Sequence, residues 1–368
     1  MRHFCESEKK VSLKNKHLSI VAFAASIAIV LLVLFLIVTL GRIKGEGNLV
    51  FYGGQILSLA EPQEAIPVGD AALSYDVFIS STWDMLMDEL NTMGKNSINP
   101  DRELIFSVTK ETIGHSSTTS DITREYPIYK YVFTPRDWEK TVLLTAGCHG
   151  DEYEGFWGLY RLMKLMYSEG YKYPMLRSMR DRVRFIIVPV WNPWGVETRQ
   201  RNCPIGFPAN DNLNSAVTLD EVSYPAFSSL EAQSIKTVID EYHGELSLWC
   251  DLHTDPHSIM NGWRKGCYGY APSGSEINKI LYSLTWDFHN IIQTRFGYDT
   301  LFWVYNTDSS FKSKIRGSGI VGYGTFRSIP TALLEVSVDE WATSGSPEEM
   351  TTAVEWFGSN IANMILGA

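Results

Sequence analysis

His149 and Glu152 stand three positions apart in VLLTAGCHGDEYEG, the stretch that covers residues 142–155. This stretch starts with an apolar run and passes through small residues to Gly147 before the polar side chains appear. In α/β folds, buried strands deliver ligands and catalytic groups at their carboxyl ends. One turn of chain can direct an imidazole and a carboxylate at this spacing toward a single cation. This donor pair is typical of hydrolytic zinc sites, although a solvated loop after a strand is the alternative for the motif taken alone.

A third side chain of the same kind follows another apolar run. Residues 248–252 read LWCDL and lead directly to His253. Two histidines and one glutamate leave a coordination position for water. Asp251 and Asp255 flank His253, and either carboxylate could orient an imidazole by accepting its second N–H group.

Glu335 lies inside the apolar sequence ALLEVSV, residues 332–338. Burying an unpaired carboxylate is costly, so an acidic residue in such a strand needs a partner or a chemical role. Apolar surroundings also raise the pKa of a carboxyl group, as a general base for zinc-activated water requires. The alternative is a half-exposed strand with a surface ion pair. Because the chain also offers three ligand candidates, we predict that Glu335 is the general base.

Arg199 and Arg201 follow Asn192-Pro193-Trp194-Gly195 closely. A guanidinium group can stabilise a developing oxyanion or hold a substrate carboxylate, although either side chain alone could be a surface arginine. Asn202 and Asn214 are further candidates for hydrogen bonds to the substrate.

Apolar runs alternate with helical patterns along most of the chain, and this alternation predicts one α/β domain over residues 76–368. The predicted strands are at residues 104–109, 128–133, 142–144, 184–190, 246–252 and 331–338. The predicted helices are at residues 76–95, 156–170, 228–242, 277–296 and 347–365. Loops are predicted at residues 113–127, 203–227 and 317–324, and a long loop such as the second is usually functional.

Residues 18–40 carry no charged side chain. A helix of this length rises about 34 Å, which is enough to cross a bilayer core of about 30 Å. The competing interpretation is a cleaved signal peptide, but that segment is shorter and ends in a small-x-small site. Five Lys and Arg residues precede the span in residues 1–17, which predicts a cytoplasmic amino terminus. We therefore expect a single-pass anchor, a tether and lead-in at residues 41–75, and an extracytoplasmic domain.

The net charge of −10 argues against a nucleic-acid partner, because no basic run occurs outside the amino terminus. The five cysteines include no C-x-x-C pair, so a cysteine-type structural zinc site is not expected. We interpret Cys148 and Cys250, in strand-like runs, as buried thiols. The spacing of the four cysteines beyond residue 100 does not predict which of them, if any, form disulfides.

The motifs together resemble the zinc carboxypeptidase superfamily, with features of its succinylglutamate desuccinylase and aspartoacylase branch. The motifs that carry the resemblance are HGDE at 149–152, NPWG at 192–195, DLH at 251–253 and Glu335. The resemblance implies an α/β fold with a mixed, mostly parallel eight-stranded sheet between helices. It also implies one Zn²⁺ per chain held by His149, Glu152 and His253, with Glu335 as base and proton shuttle and Arg201 or Arg199 as the oxyanion group.

The sequence departs from the superfamily pattern in NDNLNSAV, residues 210–217. Carboxypeptidases of this superfamily usually grip the substrate α-carboxylate with an Asn-Arg pair, and here Asn214 is followed by serine. Asn212 stands where an aspartate usually supports a zinc ligand, unless Asp211 takes that place by a shift in register. A cleft tyrosine is also expected, and Tyr323 is preferred over Tyr305 and Tyr270.

These features predict a membrane-anchored, extracytoplasmic, zinc-dependent peptidase or amidohydrolase of the carboxypeptidase type. One alternative is a deacylase of N-acyl amino acids, which HGDE and DLHT favour. The other alternative is a non-catalytic binding module on the same fold. The outward-facing anchor favours a peptide substrate.

Overall fold

The computed structural model describes residues 48–52, 55–59, 75–95, 106–122, 124–152, 154–167, 174–213, 216–254, 266–271, 277, 301–306 and 319–337. The chain divides into two units, Met1–Gln63 and Glu64–Ala368. The predicted membrane span at 18–40, the terminal helix at 347–365 and Asn214 lie outside the described residues, as does all but the first residue of the predicted helix at 277–296. Within the described residues, no helix has both the length and the apolar character needed to cross a bilayer.

The first unit contains an antiparallel hairpin within the stretch predicted to be a tether. Its strands are β1 (Asn48–Tyr52) and β2 (Gln55–Leu59), with Tyr52 paired to Gln55. The sequence between the strands is Gly53-Gly54, a dipeptide typical of two-residue hairpin connections. The sequence analysis assigned residues 41–75 to a tether and lead-in and so missed both strands.

The second unit is built on one mixed sheet of eight strands in the order β11-β10-β12-β9-β5-β6-β4-β3. Four of the neighbouring strand pairs are parallel, including the central β12-β9, β9-β5 and β5-β6 pairs. The α/β class and the mixed sheet are therefore confirmed. The strands are β3 (Phe106–His115), β4 (Pro127–Pro135), β5 (Lys140–Ala146), β6 (Val183–Val188), β9 (Leu246–Thr254), β10 (Gly266–Ala271), β11 (Leu301–Asn306) and β12 (Thr331–Ser337). A separate hairpin pairs β7 (Val217–Leu219) with β8 (Val222–Tyr224).

Helices cover this sheet. They are α1 (Tyr75–Phe78), which continues through a π-helical segment (Ile79–Asp84) into α2 (Met85–Lys95), then α3 (Glu154–Tyr167), α4 (Pro174–Arg182), α5 (Pro193–Thr198), α6 (Leu230–Tyr242) and α7 (Gly319–Phe326). A 3₁₀ turn spans Ala209–Asn212. One core cluster joins Leu143, Ile186 and Trp249 of the sheet to the apolar faces of α6 and α7. The central strands are buried almost throughout, as expected for parallel strands covered by helices.

Several elements differ from the sequence-based prediction. Residues 319–326 form α7, whereas a loop was predicted at 317–324, because GIVGYGTF contains three glycines and has no polar face. The helices α4 and α5 and the strands β10 and β11 were not predicted. Helix α5 has only six residues, too few for a hydrophobic period to be seen.

Candidate metal centre

The carboxyl ends of β5 and β9 lie side by side at the centre of the sheet, with Ala146 paired to Leu252. Beyond Ala146, Gly147 has a φ of +63°, and the chain turns into the loop that carries His149 and Glu152. The helix that follows lies close to β9, since a Cβ on Gly155 would meet the carbonyl oxygen of Leu252 at 2.6 Å. The loop after β5 and the carboxyl end of β9, which are distant in sequence, thereby meet at one point.

The three predicted ligands converge there and are almost fully buried. Their exposed fractions are 3% for His149, 2% for Glu152 and 1% for His253. The Glu152 carboxylate lies between the two rings, with Oε1 2.6 Å from Nδ1 of His149 and Oε2 2.9 Å from Nδ1 of His253. The two Nδ1 atoms are 3.3 Å apart. Two imidazole nitrogens and a carboxylate within these distances form a donor set that suits zinc, so the residues present fit the ion that the motifs imply.

A chain of hydrogen bonds runs from Trp249 through Thr145 and Asp251 to His253 and orients its ring. The indole Nε1 of Trp249 donates to Thr145 Oγ1 at 3.0 Å, and the Thr145 hydroxyl is bonded to Asp251 Oδ1. The Thr145 hydroxyl accepts from the indole and donates its own proton to Asp251, because a carboxylate oxygen can only accept. The other Asp251 oxygen is bonded to Nε2 of His253, which therefore carries a proton. In the neutral ring this leaves the lone pair on Nδ1, the nitrogen that faces Glu152.

His149 is oriented in the same way by an amide. Its Nε2 lies 3.2 Å from Oδ1 of Asn210. The sequence analysis had considered Asn212 and Asp211 for this supporting position. Asn212 instead accepts from the backbone N–H of Ser229 at 2.9 Å and holds the start of α6. Which residue of the Asn-Asp-Asn run reaches His149 depends on the 3₁₀ turn, which the sequence did not reveal.

Glu152 accepts two hydrogen bonds in addition to its contacts with the histidines. Arg201 Nη1 donates to Oε1 at 2.8 Å, and the backbone N–H of Thr254 donates to Oε2 at 3.0 Å. Burial alone would raise the pKa of Glu152, but the two histidines outweigh it and hold the pKa well below its ordinary value. Burial has the opposite effect on His149 and would lower its pKa. The neighbouring Cys148 and Glu152 outweigh burial and raise the pKa of His149 to about 10.

Cys148 is a further member of the cluster. Its Sγ lies 3.5 Å from Nε2 and 3.7 Å from Nδ1 of His253. The prediction that Cys148 and Cys250 are buried free thiols is confirmed, and Cys203 is a third. The position of Cys148 beside a histidine was not predicted, although its place directly before His149 was a visible signal.

Glu335 is placed by the sheet register. It is the residue of β12 that pairs with His253 in β9, and on the other side it pairs with Tyr268 in β10. The general-base candidate and the third ligand candidate thus occupy neighbouring positions on adjacent parallel strands.

The remaining predicted site residues lie in different surroundings. Arg199 ends α5 with a φ of +55°, and Asn202 donates from Nδ2 to the carbonyl oxygen of Gly206 at 2.8 Å. Tyr323 is buried, and its described contacts are with Phe227, Trp249, Phe326 and Arg327, a set without any of the ligand candidates. Tyr270 and Tyr305 pair with each other across β10 and β11.

Asn192 was not predicted to have a role of its own. Its Oδ1 caps α5 by accepting from the Gly195 N–H at 3.0 Å. Its Nδ2 donates to the carbonyl oxygens of Cys148 and Asn202, both at 3.1 Å. Asparagine before Pro at the first helical position is a sequence signal for such a cap. The NPWG motif therefore joins the loop that carries His149 to the one that carries Arg201.

Comparison with known proteins agrees with this architecture. The metallo-carboxypeptidase from Burkholderia cenocepacia superposes with a TM-score of 0.50 and 18% identity, over 78% of this chain and 68% of that chain. Carboxypeptidase A from Helicoverpa armigera gives 0.55 and 16%, over 78% and 72%. Thrombin activatable fibrinolysis inhibitor gives 0.54 and 13%, over 81% and 76%. The chain has a zinc carboxypeptidase-like fold.

Within this carboxypeptidase-like fold, residues 139–264 match the family model of the succinylglutamate desuccinylase/aspartoacylase catalytic domain. The resemblance predicted from the motifs is therefore confirmed. The matched range contains His149, Glu152, Arg201 and His253 and ends before Glu335. No curated protein matches the chain significantly.

Proposed function

We propose that the chain is a zinc-dependent hydrolase of peptide or amide bonds. The observation that carries this proposal is the convergence of two Nδ1 atoms and one carboxylate at the carboxyl ends of β5 and β9. A bound zinc ion supplies Lewis acidity toward a water molecule and a carbonyl group. His149, Glu152 and His253 would hold it.

The residues around this point suit acyl transfer to water. Glu335, beside His253 in the register, takes a proton from the attacking water and returns it to the leaving amine. Arg201, whose guanidinium group already contacts Glu152, stabilises the negative charge that develops on the carbonyl oxygen. Arg201 is preferred to Arg199 on the basis of that contact.

The test combines metal analysis with a base variant of the full-length chain. We expect about one zinc per chain, and Glu335→Gln should retain the zinc while losing turnover by at least ~100-fold. Glu139→Gln is the matched control, since Glu139 forms an exposed pair with Arg182. Near wild-type turnover in Glu335→Gln would contradict the proposed base. A chain without stoichiometric zinc would instead favour a non-catalytic binding module.

Two substrate classes are supported by different observations. The carboxypeptidase-like fold supports peptides with a free carboxyl end. The matched family model, and the serine that follows Asn214 where carboxypeptidases have arginine, support N-acyl amino acids. Product analysis with C-terminal peptides, cell-wall stem peptides and N-acyl amino acids separates the two. Hydrolysis of the N-acyl amino acids alone, each to a free carboxylic acid and a free amino acid, identifies a deacylase.

We further propose that residues 18–40 anchor the protein with its domain outside the cytoplasm. The uncharged length of this segment and the basic residues before it support the proposal. Added protease should digest a carboxyl-terminal tag on cells with a permeabilised outer layer but an intact plasma membrane. Protection of the tag until the membrane is lysed would contradict the proposed orientation.

A further inference from the structure

We propose that Cys148 is a ligand of the same metal ion, so that a sulfur atom joins the nitrogens of His149 and His253. The proposal rests on the proposed function, because it concerns the ion that the hydrolase would use.

The distances support shared coordination. One ligand atom from each of Cys148, His149 and His253 can be chosen so that all lie within 4.8 Å of one another, and all three side chains are buried. Zinc binds cysteine sulfur at about 2.3 Å and histidine nitrogen at about 2.0–2.1 Å, so two donors of one tetrahedral ion lie roughly 3.5 Å apart. The Sγ atom of Cys148 is 3.5 and 3.7 Å from the two ring nitrogens of His253. The sulfur therefore lies at a separation from His253 that one bound ion can bridge.

The backbone at Cys148 is fixed from two sides. The backbone N–H of Asn192 donates to the carbonyl oxygen of Gly147 at 3.0 Å, and Asn192 Nδ2 donates to the carbonyl oxygen of Cys148 at 3.1 Å. The left-handed conformation of Gly147 starts this turn. As a result, two successive residues, Cys148 and His149, both face His253.

The surroundings of Glu152 make a sulfur ligand compatible with the rest of the site. Arg201 and the Thr254 N–H each donate to its carboxylate, so that its charge stays compensated when sulfur occupies a coordination position. Two donor sets thus share the histidines, one completed by Glu152 and one by Cys148. A thiolate is a softer donor than a carboxylate, so the sulfur set retains zinc and cadmium more strongly. On binding, the thiol proton is released to solvent.

Cobalt substitution of the full-length chain tests the assignment. We expect Co²⁺ to produce a sulfur-to-cobalt charge-transfer band in the near ultraviolet that is absent in Cys148→Ser. We also expect Cys148→Ser to bind zinc at least about tenfold more weakly, the loss typical even of residues that only support a ligand. Cys203→Ser is the matched control, because Cys203 is also buried and its thiol donates to the Phe207 carbonyl oxygen, a bond that serine can keep.

Each outcome decides the proposal. Bound cobalt without a sulfur band in the wild-type chain would overturn the role of Cys148 and leave the hydrolase proposal intact. A chain that binds no cobalt and no zinc would overturn both. A band that persists in Cys148→Ser or Cys148→Ala would assign the sulfur to another residue. If these variants do not fold, a wild-type spectrum without the band still overturns the proposal, and a band that is lost in Cys203→Ser assigns the sulfur to Cys203.

Discussion

Nδ1 of His149 and Nδ1 of His253 lie 3.3 Å apart, although 104 positions separate the two residues in sequence. His149 lies in the loop after β5 and His253 lies at the carboxyl end of β9, and these two strands are hydrogen-bonded neighbours. Each ring also has its second nitrogen bonded to an acceptor, Asn210 for His149 and Asp251 for His253. The two rings are therefore held in the orientation that a shared cation requires.

Replacing one of these histidines should abolish metal binding. We expect His253→Ala to retain less than about a tenth of the wild-type zinc, because His253 belongs to both donor sets and neither set is complete without it. The measurement is metal content after dialysis. His243→Ala is the control, since His243 is exposed and contacts only the Arg327 carbonyl oxygen among its described partners. Equal zinc in His253→Ala and the wild type would contradict the assigned site.

Breaking the hydrogen-bond chain that orients His253 should lower both the stability of the fold and the affinity of the site for zinc. Thr145→Val keeps the shape of the side chain but leaves the Trp249 indole N–H and an Asp251 oxygen without a partner. We expect a loss of about 1–3 kcal/mol in the free energy of unfolding, the cost of an unsatisfied buried polar group. Zinc affinity should fall about 10–100-fold, as for other residues that orient a ligand.

Urea denaturation and zinc titration measure the two effects of Thr145→Val. Thr237→Val is a suitable comparison, because Thr237 is exposed on α6 and bonds only to the Gln233 carbonyl oxygen among its described partners. Unchanged zinc affinity in Thr145→Val would show that Asp251 orients His253 without help from the core.

The contact between α3 and β9 should not tolerate a side chain at Gly155. An alanine Cβ would lie 2.6 Å from the Leu252 carbonyl oxygen, closer than van der Waals contact allows. Gly155→Ala must therefore move α3 away from β9, and Glu152 with it. We expect a loss of about 1–3 kcal/mol in stability, as for other overpacked positions, together with weaker zinc binding. Thermal denaturation with and without zinc measures both, and a variant with wild-type values would show that α3 can shift freely.

Glu231 should make stability depend on pH. This carboxyl group is fully buried, and burial raises its pKa although Ser117 donates to it. Because the folded pKa exceeds the ordinary value of 4.5, the contribution of Glu231 is complete below pH 4.5 and is lost as the pH rises through the folded pKa. The stability of Glu231→Gln relative to the wild type should therefore rise between pH 4.5 and 7.5. Urea denaturation at both values checks this, and a relative stability that falls with pH would show that the pKa is lowered instead.

The sequence indicated the three ligand candidates more clearly than the residues that orient them. His149, Glu152 and His253 could be proposed because each follows an apolar run at the spacing that a zinc site needs. Asn210 and the role of Asn192 depend on the shape of two loops, and no periodic pattern encodes that shape. Helix α7 was missed because its sequence also has no helical period. Its glycines serve close packing instead, since a Cβ on Gly324 would meet Thr331 Oγ1 at 1.8 Å.

The backbones of the HGDE and NPWG motifs are in direct contact at Gly150 and Gly195. A Cβ on Gly150 would lie 1.9 Å from the carbonyl carbon of Gly195, and one on Gly195 would lie 2.3 Å from Asn192 Nδ2. The HGDE loop can therefore acquire no side chain at Gly150 unless the NPWG turn moves, and a side chain at Gly195 would displace the Asn192 amide that donates to the Cys148 carbonyl oxygen. Over evolution the two motifs should change together or not at all, and an attempt to transplant the HGDE loop into another sheet would have to bring the NPWG turn with it.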